Sequence, residues 1–248
     1  NQIVINGGTA TNIGGAVTIG NGGAPSNFAN SIVISNGGRW FGGVITIGVN
    51  GSSNNLYQVG GLGASSLVSN GLITVGASAS GFNRLVVTNA QLQSLGLYFG
   101  PTSSYNTVTI GAGVNWNMLS NQMTVGIGSN NNLIGDTSST ITNVGGIGLF
   151  GSYQTNSLLG SLLTGSGANI ATATVFLAGG SLTIGGSTGF GNNSLTLSNL
   201  LYNGAAASVI GNGSSNNIVT LLTNALWNTG GTGITIGSGN ATGDVLLV

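Results

Sequence analysis

The stretch Ser31-Ile32-Val33-Ile34-Ser35-Asn36-Gly37-Gly38, completed by Ile45-Thr46-Ile47-Gly48, decides how this chain folds. Apolar and polar residues alternate from Ser31 to Ser35, which marks a strand, because successive side chains of an extended chain point to opposite faces. Asn36-Gly37-Gly38 then supplies a turn, since Gly and Asn reach positive φ at little steric cost. Arg39-Trp40-Phe41 forms a second short strand, Gly42-Gly43 a corner and Val44 to Ile47 a third strand, before Gly48 to Ser53 leads onward. Three strands and three corners in one unit describe a single coil of a β-helix.

The unit recurs. Segments of the form apolar-Thr-apolar-Gly end at Gly20, Gly48, Gly76, Gly126, Gly185 and Gly237, and degenerate copies end at Gly100, Gly151 and Gly211. These glycines fall 24 to 28 residues apart, except for the 34 residues from Gly151 to Gly185. A second marker, Asn-x-apolar-x-apolar, runs in phase with the first, from Asn1, Asn30, Asn83, Asn106, Asn193 and Asn217; Asp244 takes the Asn place in the last copy. Near Asn55, Asn132 and Asn156 the Asn is kept and the apolar spacing is poor. A fixed period in this range reads as a solenoid, each repeat burying its apolar face only against its neighbours.

The expected fold is therefore all-β: one single-stranded parallel β-helix over residues 1–248, with about nine coils of ~26 residues and an irregular or inserted coil around 152–180. At a strand spacing of about 4.8 Å such a rod is about 45 Å long. Equivalent residues stack in columns. Ile19, Ile47, Val75, Phe99, Val125, Phe150, Ile184, Ile210 and Ile236 are expected to line the interior. The Thr between each inward pair (Thr18, Thr46, Thr74, Thr124, Thr183, Thr235) faces outward, in a file broken at Tyr98, Leu149 and Val209. The Asn anchors are expected to form an amide ladder, a stabilising device of stacked strands, with Asp244 as its variant or cap.

Composition narrows the function. The 248 residues include 48 Gly, no Cys, no His and four charged side chains, Arg39, Arg84, Asp136 and Asp244. Their charged fraction is 2%, against roughly 25% in ordinary soluble domains. Hydrophobic residues make up 40%, which argues against disorder. Acid–base, thiol and metal chemistry lack their usual residues, so no enzyme, cofactor or metal is expected. Two Arg cannot neutralise a phosphate backbone, and Ser157 to Gly180 is too polar to span a bilayer as a helix; nucleic acid and membrane insertion are not expected. A net charge of zero removes the repulsion that keeps proteins apart, and self-association is the expected state. Asn1 is not an initiator Met, so the chain reads as a processed product or a section of something longer.

Motifs of catalysis are cheap in such a chain. Gly146-Ile147-Gly148-Leu149-Phe150-Gly151 fits a dinucleotide loop but lacks a βαβ context, and Gly185-Gly186-Ser187-Thr188-Gly189 fits a nucleophile elbow without any His to act as base. Trp40, Trp116 and Trp227, each ten residues after an Asn anchor, and Tyr202 form an aromatic file. Two readings stay open: exposed, they could stack sugar rings or a neighbouring subunit; inward, they would pack the interior at a corner. Sequons begin at Asn50, Asn192, Asn212 and Asn240, all in loops between coils.

Asn-x-apolar-x-apolar, the Asn-Gly turn and apolar-Thr-Ile-Gly, clearest from Ser31 to Gly48, resemble the Gly/Asn-rich repeats of bacterial autotransporter passengers and related giant surface proteins. The resemblance covers nearly the whole chain and weakens from Asn132 to Gly180. It implies a right-handed extracellular solenoid serving as a stalk, adhesin or filament. The chain enters and leaves at the same phase of its repeat without an evident polar cap, so copies are expected to stack head to tail into a filament, sheath or stalk. The alternative is an adhesin or glycan-binding module that uses the aromatic file. A polysaccharide-lyase-like enzyme ranks third, for want of clustered charge.

Overall fold

A computed structural model describes residues 1–12, 14–22, 28–100, 102–125, 131–135, 139–149, 155–159, 162–164, 181–185, 191–198, 201–203 and 206–248. Every strand pairing among them is parallel and joins one turn to the next. The described residues contain no helix. One side of the solenoid is a sheet of ten strands stacked in chain order: Gln2–Asn6, Ser31–Ser35, Leu56–Gly60, Arg84–Thr88, Thr107–Ile110, Asn132–Gly135, Thr155–Leu159, Ser194–Ser198, Ile218–Leu221 and Val245–Leu247. The expected strands of the unit from Asn30 appear as Ser31–Ser35, Arg39–Gly42 and Ile45–Val49.

Seven turns have three separate strands, against the about nine coils expected. In two others the second and third strands run together, as Val114–Val125 and Thr140–Leu149. The bend persists there within the strand, as positive φ at Leu119, Ser120 and Asn143 and a register shift between Asn117 and Asn121. The expected irregular coil around 152–180 lies largely outside the described residues, as do Asp136, Gly126, Phe150, Gly151 and Gly186 to Gly189.

The core is a narrow column of aliphatic side chains on which three sides converge. Ile34, Ile45, Ile47, Val59, Ile73, Val75, Leu85, Val87, Val108 and Ile110 are fully buried. Ile5, Ile34, Val59, Val87 and Ile110 follow one another in register along the first side, so one in-register column supplies much of the core. Burying an aliphatic side chain is worth about 1.5–3 kcal/mol, and here it recurs at each rung.

Register corrects four of the sequence expectations. Asn55 is a regular anchor, because Tyr57 and Val59 fill its two inward places and both are fully buried. Asn131, not Asn132, is the anchor of its turn, since Asn132 pairs with Thr107 within the strand. Asn156 pairs with Leu195 and is likewise not an anchor. On the third side Leu149, not Phe150, stands opposite Val125 and Ile184, which places Gly148 in the Thr file between Thr124 and Thr183. The rest of that file stacks as expected through Thr18, Thr46, Thr74 and Tyr98.

Candidate functional site

The first candidate is the corner where each turn meets the next. An Asn amide both donates and accepts, so identical amides stacked in register can each satisfy the next. Asn1 Nδ2 donates to Asn30 Oδ1 at 3.0 Å, Asn30 Nδ2 to Asn55 Oδ1 at 2.9 Å and Asn55 Nδ2 to Asn83 Oδ1 at 2.8 Å. The ladder continues from Asn83 to Asn106 at 3.2 Å and from Asn106 to Asn131 at 2.8 Å. Backbone N–H groups reinforce it: Asn30, Asn55, Asn83 and Asn106 each donate to the Oδ1 of the following anchor at 3.0–3.1 Å. Each of these donors, from Asn1 to Asn106, points toward the C-terminal end.

A serine three residues before the anchor completes the corner. Ser52, Ser80, Ser103 and Ser214 accept from the Nδ2 of Asn55, Asn83, Asn106 and Asn217, respectively. Ser80 Oγ then donates to Gly48 O at 3.0 Å, and Ser103 Oγ to Gly76 O at 2.5 Å. At Gly76 φ is +72°, and an added Cβ would lie 2.2 Å from Ser103 Oγ. The Gly and Asn sequence markers thus belong to one buried site, which explains their common period.

Asp244 closes the described ladder. Its Oδ1 accepts from Asn217 N at 2.9 Å and from Asn217 Nδ2 at 2.7 Å. Its Oδ2 is buried without a partner, and lies against Gly211 as the Nδ2 of Asn106 lies against Gly76. Ala241 stands where the rungs of Asn55, Asn83, Asn106 and Asn217 have serine, so this rung lacks both the amide donor and the hydroxyl.

The two end faces are the second candidate. Gln2–Asn6 pairs only with Ser31–Ser35, and Val245–Leu247 only with Ile218–Leu221, leaving one edge of each strand open. Ile3 belongs to the inward column yet is 54% exposed, and at the opposite end the inward Ile236 is 47% exposed and Ile234 37%. A depression lined by Ile3, Val17, Ile19, Asn30 and Ile32 marks the first of these faces.

The aromatic file resolves to the inward reading. Trp116 and Tyr202 are fully buried, Trp40 is nearly so, and Trp227 is half-buried against the core near the C-terminal end. An exposed sugar-stacking file is therefore corrected. The period-two parity restarts at the positive-φ corner, so distance from the Asn anchor does not tell which face a Trp takes. Trp116 Nε1 donates to Ser94 Oγ at 2.8 Å, and Tyr202 packs edge-on against Trp227 with centroids 5.8 Å apart. Burial pushes the Tyr202 phenol well above its usual range; it does the same to Tyr57, where a bond from Asn70 Nδ2 acts in the opposite direction.

Sequence reasoning missed the aromatic pair that is at the surface. Phe82 and Tyr105 are 55% and 53% exposed, and their rings stack in parallel at 5.1 Å. Both have positive φ, +57° and +61°, at the residue before an anchor, where Asn54 and Asn216 stand in other turns. Bulky residues are uncommon in that backbone region.

Asn50, Asn192, Asn212 and Asn240 are all exposed. Two of these sequons have a structural origin, because Ser52 and Ser214 are the corner serines that bind Asn55 and Asn217. Arg39 and Arg84 are exposed on different sides of the solenoid. Among the described residues no three His, Cys, Asp or Glu come together as a metal site would need, and no helix is long and apolar enough to cross a membrane. The chain is a β-solenoid of parallel stacked strands bound by an Asn ladder, and no protein-family model, curated protein or solved structure matches it.

Proposed function

We propose that this chain is a structural element of an extracellular filament, sheath or surface stalk, in which copies stack head to tail and no chemistry is performed. One observation carries the reading: strands of successive turns stack in parallel register and are tied along the stacking direction by a buried Asn ladder. A stack of this kind extends by adding further turns in register, and a head-to-tail contact that does not close yields a filament. The near absence of charge supports association, and the likeness to autotransporter-passenger repeats supports the extracellular setting. Negative-stain electron microscopy of the purified chain at several concentrations tests this. Filaments with an axial repeat near ~45 Å are expected. Isolated short rods at every concentration would overturn the reading.

The adhesin reading has one observation in its favour, the strained and exposed Phe82–Tyr105 stack. Backbone strain held without burial is characteristic of binding sites. Retention on neutral glycan surfaces that is lost in Phe82→Asn/Tyr105→Asn would support it.

A further inference from the structure

Seven Asn-Gly pairs occur in the chain, at Asn6, Asn21, Asn36, Asn50, Asn70, Asn203 and Asn212. Such a pair is chemically weak, because glycine has no side chain to shield its nitrogen from the neighbouring Asn amide. Once its proton has passed to water or hydroxide, the Gly nitrogen bonds to the Asn Cγ; the Cγ–Nδ2 bond breaks, and Nδ2 takes up a proton and leaves as ammonia. Water then opens the cyclic imide at either carbonyl. One opening yields aspartate, the other isoaspartate, whose main chain runs through Cβ and Cγ and is one carbon longer.

The solenoid holds the nucleophile in all six pairs that lie within the described residues. Gly37 N donates to Ala64 O at 2.8 Å, Gly71 N to Gly43 O at 2.8 Å, Gly213 N to Ser238 O at 2.9 Å and Gly7 N to Ser35 O at 3.1 Å. Gly22 N and Gly51 N reach Val49 O and Ser78 O at 3.3 and 3.4 Å. Every one of these acceptors belongs to an adjacent turn; Gly204 lies outside the described residues. Burial does not explain the protection. Asn6, Asn21, Asn36, Asn50 and Asn212 are exposed, and of the six only Asn70 is buried, where its Nδ2 donates to Tyr57 Oη at 3.0 Å. Water reaches the exposed amides, and stacking withholds the nitrogen.

We propose that these Asn residues are modification sites gated by stacking: a closed turn preserves them, whereas a turn that opens converts and is then held open. Two consequences of the chemistry make the step one-way. The extra carbon of isoaspartate disturbs the register on which each rung depends. A carboxylate also replaces a bonded amide. Asn50 Nδ2 donates to Asn21 Oδ1 at 2.9 Å, so conversion of both sets two negative charges on neighbouring turns, whose strands lie about 4.8 Å apart. The chain thereby keeps a permanent record of each turn that has opened.

Site-resolved peptide mapping tests the gate. Wild-type chain is held at mildly alkaline pH in buffer, and in denaturant at a concentration where circular dichroism shows no strand, and Asn, Asp and isoaspartate are quantified at each pair. Asn36 and Asn212 decide the matter, since both are exposed and followed by short Gly bonds. Their conversion is expected to be at least about tenfold slower in the folded chain, because a turn must open before it reacts. Conversion as fast in buffer as in denaturant overturns the gate. In folded chain aged at a temperature where turns open, converted molecules are separated by charge from unconverted ones of the same sample. Faster backbone hydrogen exchange around the converted turn is expected; equal exchange in the two fractions overturns the one-way step.

Discussion

Asn55 Nδ2 donates to Asn83 Oδ1 at 2.8 Å across a separation of 28 residues, and both side chains are fully buried. That bond is the stacking unit of the solenoid. Replacing Asn83 with Ala removes the acceptor of Asn55 N, one of the two acceptors of Asn55 Nδ2 and one of the two donors to Asn106 Oδ1. Each buried orphan costs about 1–3 kcal/mol, so Asn83→Ala is expected to destabilise the chain by about 2–4 kcal/mol in urea unfolding. A change below about 0.5 kcal/mol would show that the ladder is not load-sharing.

Two glycines separate steric need from mere abundance. Gly76→Ala places a methyl 2.2 Å from Ser103 Oγ at φ +72°, while at Gly8 nothing lies within 4 Å and φ is not positive. Gly76→Ala is expected to lower the thermal midpoint strongly, whereas Gly8→Ala leaves it unchanged or raises stability by about 0.4–1 kcal/mol through the unfolded chain. Equal effects at both positions would contradict the corner geometry.

The two aromatic groups should respond oppositely. Trp116→Ala empties a fully buried site and strands Ser94 Oγ, so a loss of about 3–5 kcal/mol is expected. Phe82→Asn/Tyr105→Asn relieves two strained φ values and loses one exposed stack, itself worth about 0.5–1.5 kcal/mol, so its thermal midpoint stays near wild type. Circular dichroism melts of both variants decide the matter.

Few groups titrate, so stability is expected to be flat with pH and salt through the neutral range. It should fall in alkali. Tyr57 and Tyr202 hold their protons more tightly when folded than when unfolded, because burial disfavours the phenolate. Above the ordinary phenol value of about 10, the unfolded chain therefore loses protons that the folded chain retains, and stability falls as pH rises. Below that value the contribution is fully present. Denaturant midpoints measured from pH 5 to 12 would show a plateau followed by this decline; Tyr202→Phe should reduce it.

Much of this architecture is legible from residues alone, because a parallel in-register stack repeats each local choice. The Asn anchors, the corner glycines and the Thr file follow from period alone. What escaped has physical causes. Asn131 and Asn132 are adjacent, and composition cannot say which one the preceding loop brings to the corner. Leu149 stands at the register position expected of Phe150, because the strand Thr140–Leu149 pairs with a register shift. The Trp residues lie beyond a positive-φ corner, which resets parity, and Phe82 and Tyr105 occupy loop positions where no periodicity is available.

The bonds of the ladder run along the rod, and this determines how the molecule yields to a pull on its ends. All three sides of a turn share the load, so a turn holds or releases as one body. A turn of about 26 residues that lets go shortens the rod by about 5 Å and frees about 85 Å of extended chain. Under tension the solenoid gives length in discrete steps while the remaining turns keep their grip.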